Sequence, residues 1–88
     1  MKKTTKPIRL SKHAIAQLEF RGGTKQEVIS AIQTIEWVPA ELGRLECRKD
    51  FTFGKLWNKK LYRTKQVRPI FVEEEIEIVV VTVYVYYL

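Results

Sequence analysis

The sequence predicts an α+β fold in which two N-terminal helices pack on a four-stranded, mainly antiparallel sheet. Apolar residues recur at helical spacing up to about residue 36, whereas from residue 44 they alternate with a period of two. A chain of 88 residues has the size of one domain. We therefore predict a single domain, 1–88, made of a flexible basic arm at 1–7, helices at about 11–21 and 24–36, and strands at about 44–51, 56–63, 66–73 and 76–87.

Both predicted helices carry capping signals. Ser11 is a good N-cap for the first helix, and Gly22 with Gly23 supplies a left-handed stop. Thr24 and Glu27 have the spacing of a capping box, which opens the second helix. A Gly-Gly turn between two amphipathic helices indicates a helical hairpin with one shared apolar side.

The remaining elements are strands. Pro69 has no N–H to donate, so the third strand of the sheet must lie at an edge or carry a bulge there. A run of three glutamates at 73–75 marks the turn before the last strand. Residues 76–87 are apolar at even and odd positions alike, which is typical of a central strand that is covered on both faces. We expect the even-numbered side chains on one face and the odd-numbered ones on the other. Residues 8–10 are a short strand or an extended entry to the first helix.

Several functional classes are excluded by composition. Cys47 is the single cysteine and His13 the single histidine, so no internal disulfide and no structural zinc site is expected within the chain. We predict no metal, no cofactor and a buried, unreactive thiol. The N-terminus lacks the apolar stretch of a signal peptide, and residues 79–85 are too few to span a membrane as a helix. We expect a cytoplasmic protein with no membrane partner.

Positive charge is concentrated in two parts of the chain. The formal net charge is +6, with five basic residues and no acidic ones in residues 1–12, and nine basic against two acidic residues in 44–68. Such a field favours an anionic partner, which is RNA, DNA or an acidic protein. The alternative is a solvated face that keeps the protein soluble.

One flank of the first helix carries His13, Gln17, Phe20 and Arg21. The imidazole of His13 is suited to act as a general acid or base near neutral pH, and Arg21 is suited to bind a phosphate. The alternative is a partly exposed histidine that hydrogen-bonds to the sheet or to a helix end.

Basic and aromatic residues are interleaved in the predicted strands. Basic side chains neutralise backbone phosphates, and aromatic rings stack on unpaired bases. The alternative is that the tryptophan lies in a core and the charges are solvated. The residues predicted to bind nucleic acid are Arg48, Trp57, Lys59, Lys60 and Tyr62.

The last strand ends in a tyrosine cluster, Tyr84, Tyr86 and Tyr87. A phenol can donate a proton or hold a phosphate oxygen. The alternative is that these rings close a core or an interface, including that of a homodimer.

Two stretches resemble a known group of proteins. The run Ser11-Lys12-His13-Ala14, followed by Leu18 and Arg21-Gly22 and then by the second helix, is similar to a widespread prokaryotic domain of unknown function. That domain is placed near the RelE/ParE-like toxin superfamily. The later run Lys60-Leu61-Tyr62-Arg63, then Val67-Arg68-Pro69-Ile70-Phe71-Val72 and the last strand, resembles the strand pair of that superfamily. The resemblance covers about residues 8–87.

The resemblance implies an α-α-β-β-β-β fold and a metal-independent endoribonuclease toxin with an acidic antitoxin as partner. Arg68 matches the phosphate-binding arginine, Arg63 the preceding basic position, and His13 and Arg21 the uncharacterised domain. Such toxins carry further catalytic residues beyond the last strand, and we expect Tyr84 or Tyr86 to substitute for them. Gln17 departs from the domain's usual arginine. The competing interpretation is a non-catalytic nucleic-acid- or protein-binding module on the same scaffold.

Overall fold

The structure is a computed structural model that describes residues 4–88. It confirms an α+β fold with two N-terminal helices, and it has six strands where four were predicted. The predicted arm lies partly outside the described residues. The elements are β1 Ile8–Leu10, α1 Lys12–Arg21, α2 Lys25–Thr34, β2 Val38–Pro39, a 3₁₀ turn Glu41–Gly43, β3 Leu45–Glu46, β4 Lys49–Trp57, β5 Lys60–Glu73 and β6 Ile78–Tyr87.

The capping signals act as predicted. The Ser11 hydroxyl accepts from the backbone N–H of Ala14, and Gly22 ends α1 in the left-handed conformation with φ 77°. Thr24 and Glu27 form both hydrogen bonds of the capping box. The second helix ends at Thr34, two residues before the predicted end at 36, and the indole N–H of Trp37 donates to the carbonyl of Ile32.

The sheet has the order β1-β6-β5-β3-β2, and β4 also pairs with β5. β1 runs parallel to β6, and the other pairs are antiparallel. α1 packs on β6 and α2 on β5, so both helices cover the same face. Between the helices and the sheet lies a core whose fully buried members include Val28, Ile32, Val67, Phe71, Ile78, Val80 and Val83.

The predicted strands 56–63 and 66–73 are wrong, because the chain turns at Asn58 and Lys59. These two residues have φ 51° and 68°, and Trp57 pairs with Lys60 across them. A two-residue loop with two positive φ angles matches the twist of an antiparallel hairpin, and Asn tolerates that conformation better than most residues. Residues 60–73 then form one long strand.

The predicted strand 44–51 is two strands, β3 and β4, which keep one register along β5. Glu46 lies opposite Ile70 and Lys49 opposite Val67, so the interruption falls across from Pro69. Proline has no N–H for the ladder, which accounts for the gap. On the other side of β5 the register with β6 shifts between Ile70 and Phe71. Of the two predicted alternatives, the edge position is wrong, because β5 pairs on both sides. The sheet does carry a bulge, but it lies between Ile70 and Phe71 and not at Pro69 itself.

The predicted strict alternation along the last strand is wrong. Thr82 pairs with Ile70 and Val80 with Phe71, so Val81 is an extra residue without an opposite partner. Before this bulge the even-numbered residues of β6 face the helices, and after it the odd-numbered residues do. Val80 is buried before it and Val83 after it, whereas Tyr84 is exposed. As a consequence the side chains of Thr82, Tyr84 and Tyr86 lie on the face of the sheet that the helices leave open.

Candidate functional site

Two arginines and two tyrosines meet on the open face of the sheet. The guanidinium carbons of Arg21 and Arg68 lie 5.1 and 5.2 Å from the ring centroid of Tyr84, within cation–π range. The ring of Tyr86 is nearly parallel to that of Tyr84, with centroids 6.5 Å apart. Together with Glu46 these residues form what we call the arginine–tyrosine cluster.

Arg21 reaches this face because it is the last residue of α1. Its Nη1 donates to the carbonyl of Val83 at 2.9 Å, which holds the guanidinium at the edge of β6. Its own carbonyl accepts from the Tyr87 hydroxyl at 2.6 Å. The turn at Gly22 ends the helix at that point, so the positions of backbone and side chain are both set.

Arg68 is held by a carboxylate and a phenol. Its Nε and Nη2 donate to the two carboxylate oxygens of Glu46 at 3.2 and 2.6 Å, and its Nη1 donates to the Tyr86 hydroxyl at 3.2 Å. The hydrogen bond from Arg68 is the main cause that lowers the pKa of Glu46, and the same bond raises the pKa of Arg68. Both groups are therefore charged at neutral pH. Arg48 adds a longer ion pair to Glu46 at 3.8 Å.

The cluster opens into a shallow cleft of about 620 Å³. Three of the five guanidinium N–H groups of Arg68 are engaged, so two remain for an anion. Chemically, the site offers two cations, a carboxylate and two phenols within one open surface, and no group of His, Cys, Asp and Glu that could hold a metal occurs among residues 4–88. The cleft is lined by Pro39, Ala40, Glu41, Leu42, Arg44, Glu46, Arg68, Ile70, Thr82 and Tyr84.

Of the five residues predicted to be catalytic, the structure brings Arg21, Arg68 and Tyr84 together. His13 is exposed on α1, and no hydrogen bond or ion pair joins its imidazole to another residue of 4–88. Eight residues of helix, about 12 Å, separate it from Arg21. Arg63 is exposed on β5, with its backbone N–H bonded to the carbonyl of Leu88. Neither residue contacts the cluster.

Trp57 and Tyr62, predicted to bind nucleic acid, pack around Tyr87. The rings of Trp57 and Tyr87 are stacked with centroids 4.7 Å apart, and those of Tyr62 and Phe53 lie 5.8 and 5.1 Å from Tyr87. Burial raises the pKa of the Tyr87 phenol, and the nearby Glu27 carboxylate adds to the shift. These four rings form an aromatic cluster that supports the β4–β5 hairpin.

The predicted lysines lie at the exposed end of that hairpin. Lys59 is in the turn, and the ammonium of Lys60 lies 5.6 Å from the ring centroid of Tyr62. Arg48 is exposed at the edge of the arginine–tyrosine cluster. Lys65 is different: it is buried, and its ammonium binds the Glu27 carboxylate at 2.9 Å and the Gly22 carbonyl at 3.0 Å. It joins the sheet to the turn between the helices.

Glu46 is the residue of the site that the sequence prediction missed. Alternation around Cys47 places Glu46 and Arg48 on one face, which signals a carboxylate beside the basic surface. The pairing with Arg68 follows from the register of β3 against β5, and the sequence pattern does not specify that register.

Comparison with protein-family models, curated proteins and solved structures returned no match. The fold and the cluster thus define the class only as a two-helix, antiparallel-sheet protein with a basic, tyrosine-rich surface. Within residues 4–88, both helices are too short and too polar to cross a membrane.

Proposed function

We propose that this chain is a toxin-like, metal-independent endoribonuclease of the RelE/ParE type that binds RNA at the arginine–tyrosine cluster. The carrying observation is the convergence of Arg21 and Arg68 on the ring of Tyr84, which lines an open cleft together with Arg68 and Glu46. Two guanidinium groups can stabilise a phosphate and the extra charge that develops on it during cleavage. The positive charge of the hairpin supplies the further attraction for an RNA backbone.

The cluster contains the groups that such a cleavage requires. The ribose 2′-oxygen attacks the adjacent phosphorus, the P–O5′ bond breaks, and the products are a 2′,3′-cyclic phosphate and a 5′-hydroxyl. Glu46 is ionised and accepts the proton of the 2′-hydroxyl, while the phenol of Tyr84 donates a proton to the leaving oxygen. Arg21 and Arg68 neutralise the phosphorane. His13, whose imidazole is suited to act as a general acid near neutral pH, is the alternative proton donor.

The test is RNA cleavage by the purified protein in the presence of a metal chelator. Arg68→Lys keeps the charge but loses the bidentate fork, and Tyr84→Phe loses only the hydroxyl. Each is expected to lower the cleavage rate about 100-fold or more. Lys25→Ala, on the exposed start of α2, is the matched control.

Expression in a bacterial host is scored for growth in parallel, with His13→Ala included. Growth arrest with the wild type and relief by Arg68→Lys support a toxin. Intact RNA and normal growth with the wild type contradict the nuclease proposal.

The second candidate is a non-catalytic nucleic-acid- or protein-binding module. It is favoured by the bidentate bond with which Glu46 occupies the fork of Arg68, and by the distance of His13 from the cluster. Binding of RNA without cleavage, weakened by Arg68→Lys, distinguishes this module from the enzyme.

We also propose two associations for this chain, one with an acidic antitoxin-like protein and one with a second copy of itself in a homodimer. Leu56 and Leu61 form an exposed cross-strand pair on a hairpin that also carries Lys55, Lys59 and Lys60. An apolar pair surrounded by positive charge suits an acidic, partly apolar partner. Sedimentation of the wild type and of Leu56→Asp, alone and with the product of the adjacent gene, tests both associations. A cytoplasmic location is tested by cell fractionation.

A further inference from the structure

A second concavity lies where α1 ends beside the turn between β4 and β5. It is open, has a volume of about 330 Å³ and is of a size that small ligands occupy. We call it the turn pocket; its lining residues are Phe20, Arg21, Trp57, Asn58, Val85 and Tyr87.

Two aromatic side chains give the turn pocket flat apolar surfaces. Phe20 is 82% exposed, so the core does not account for its presence there. Trp57 is fixed by stacking on Tyr87, and it approaches the backbone so closely that a Cβ at Gly22 would lie 2.6 Å from its ring. An exposed ring beside a rigid indole is a surface on which a nucleobase can stack.

Asn58 adds hydrogen-bonding groups at the rim. Its backbone has φ 51°, and its side-chain amide makes no hydrogen bond with the other residues of 4–88. A free amide presents a donor and an acceptor, which is what the edge of a base requires. No acidic residue lines the turn pocket, so an anionic chain meets no repulsion from its walls.

Arg21 connects the turn pocket to the arginine–tyrosine cluster. Arg21 is one of the residues that line the pocket, on the helix-covered side of β6, and its guanidinium bonds to the Val83 carbonyl and lies over the ring of Tyr84 on the open side. We propose that the turn pocket binds a nucleobase of single-stranded RNA whose adjacent phosphate lies at the cluster. This inference rests on the proposed function, and it assigns Phe20 and Asn58 to base binding and Arg21 to the link between the subsites.

The test separates base recognition from charge attraction. One ligand is a fluorescein-labelled single-stranded oligonucleotide with 2′-O-methyl riboses, which lack the attacking hydroxyl. The other is inorganic polyphosphate of matched length, which has the charge but no bases. Dissociation constants are measured for the wild type, Phe20→Ala, Asn58→Gly, Arg68→Lys and the control Ile76→Ala. Ile76 is also an exposed apolar residue, and it lies in the turn at the other end of β6.

Phe20→Ala is expected to weaken oligonucleotide binding about 5- to 100-fold, because one stacked base is lost. Asn58→Gly keeps the positive φ and weakens binding about 2- to 10-fold through the lost hydrogen bonds. Both variants bind polyphosphate as the wild type does, and Ile76→Ala matches the wild type with both ligands.

Four results overturn the inference. Equal weakening of both ligands by Phe20→Ala excludes base recognition. If Arg68→Lys weakens oligonucleotide binding but Phe20→Ala and Asn58→Gly do not, the assignment of base binding to the turn pocket is wrong, whereas the proposed function is still supported. If the wild type binds neither ligand, the proposed function fails as well. Tighter binding of oligo-glutamate than of the oligonucleotide, lost in Phe20→Ala, would assign the pocket to an acidic protein segment instead.

Discussion

At the scale of single residues, the ion pair of Glu46 and Arg68 sets the electrostatics of the open face. Two charge-assisted hydrogen bonds at 3.2 and 2.6 Å join the groups, and both side chains are largely shielded from solvent. Removing one member of such an ion pair by mutation strongly destabilises the fold, because the other member keeps its charge without a partner. Any anion that binds at the cluster must share Arg68 with this carboxylate.

Replacing Glu46 with Gln is expected to destabilise the protein by about 1–3 kcal/mol at pH 7. The folded-state pKa of Glu46 is lowered, so the stability that its ionisation contributes is present above the unfolded pKa and disappears as the pH falls through the folded value. The difference from the wild type should therefore shrink in acid. Urea unfolding of both proteins between neutral pH and about pH 3.5 measures it.

Glu36→Gln, a change at an exposed carboxylate, is the control for a general effect of charge. A difference between the wild type and Glu46→Gln that is the same at every pH would contradict the ion-pair account.

Gly22→Ala tests the close approach of Trp57 to the turn between the helices. Gly22 and Gly43 both have positive φ, 77° and 70°, so alanine costs about 1–2 kcal/mol at either from the backbone alone. At Gly22 the new Cβ also meets the Trp57 ring at 2.6 Å, whereas at Gly43 nothing lies within 4 Å. We expect Gly22→Ala to lose at least about 1 kcal/mol more than Gly43→Ala in urea unfolding. Equal losses would mean that the indole moves away without cost.

At the scale of elements, two irregularities of the sheet create the site. The extra residue Val81 exchanges the faces of β6, which sends Tyr84 and Tyr86 to the open side. Pro69 interrupts the pairing of β5 with β3 and β4 one residue from Arg68. Bulges re-aim side chains in this way without ending the strand.

The β4–β5 turn gives a prediction for an element. Lys59 has φ 68°, which is unfavourable for a residue with a Cβ, and glycine at this position completes the Asn-Gly loop that such hairpins prefer. Lys59→Gly is expected to stabilise the protein by about 0.5–1 kcal/mol. Lys60→Gly, in the extended strand, removes the same charge and is expected to destabilise. Thermal unfolding of the two variants at one pH compares them, and a loss of stability in both would contradict the assigned turn.

At the scale of the whole molecule, one core lies under both helices and one face of the sheet remains open. Cys47 belongs to that core with 2% of its surface exposed, and burial raises the pKa of its thiol to about 12. The negative charge of Glu46 adds to this shift. The thiol is therefore protonated and shielded in the folded protein.

Reaction of Cys47 with a thiol reagent is expected to report opening of the fold. At pH 8 the thiol should react with a disulfide reagent far more slowly than a free cysteine, because the reactive thiolate is scarce and covered. The rate should rise with urea in parallel with global unfolding. Fast labelling without denaturant, or a rate independent of urea, would show that the strands around Cys47 open locally.

Local sequence signals were sufficient to predict where the two helices begin and where the first one ends. Ser11, Gly22 and the Thr24–Glu27 box each act through hydrogen bonds or backbone angles within a few residues, so their effect is visible in the chain itself. The interruption of the ladder at Pro69 was predictable for the same reason, since a missing N–H is a property of one residue.

The strand count, the faces of β6 and the partner of Arg68 depend on contacts between distant parts of the chain. Asn58-Lys59 is a weak turn signal that the long hairpin stabilises, and the bulge at Val81 appears only when β6 is paired with β5. Of the site, sequence patterns named Arg21, Arg68 and Tyr84 but also His13 and Arg63, which lie elsewhere. The sequence by itself determines residue type and local spacing. The register between strands depends on which of several possible pairings is most stable in the assembled sheet, and this register places Glu46 beside Arg68.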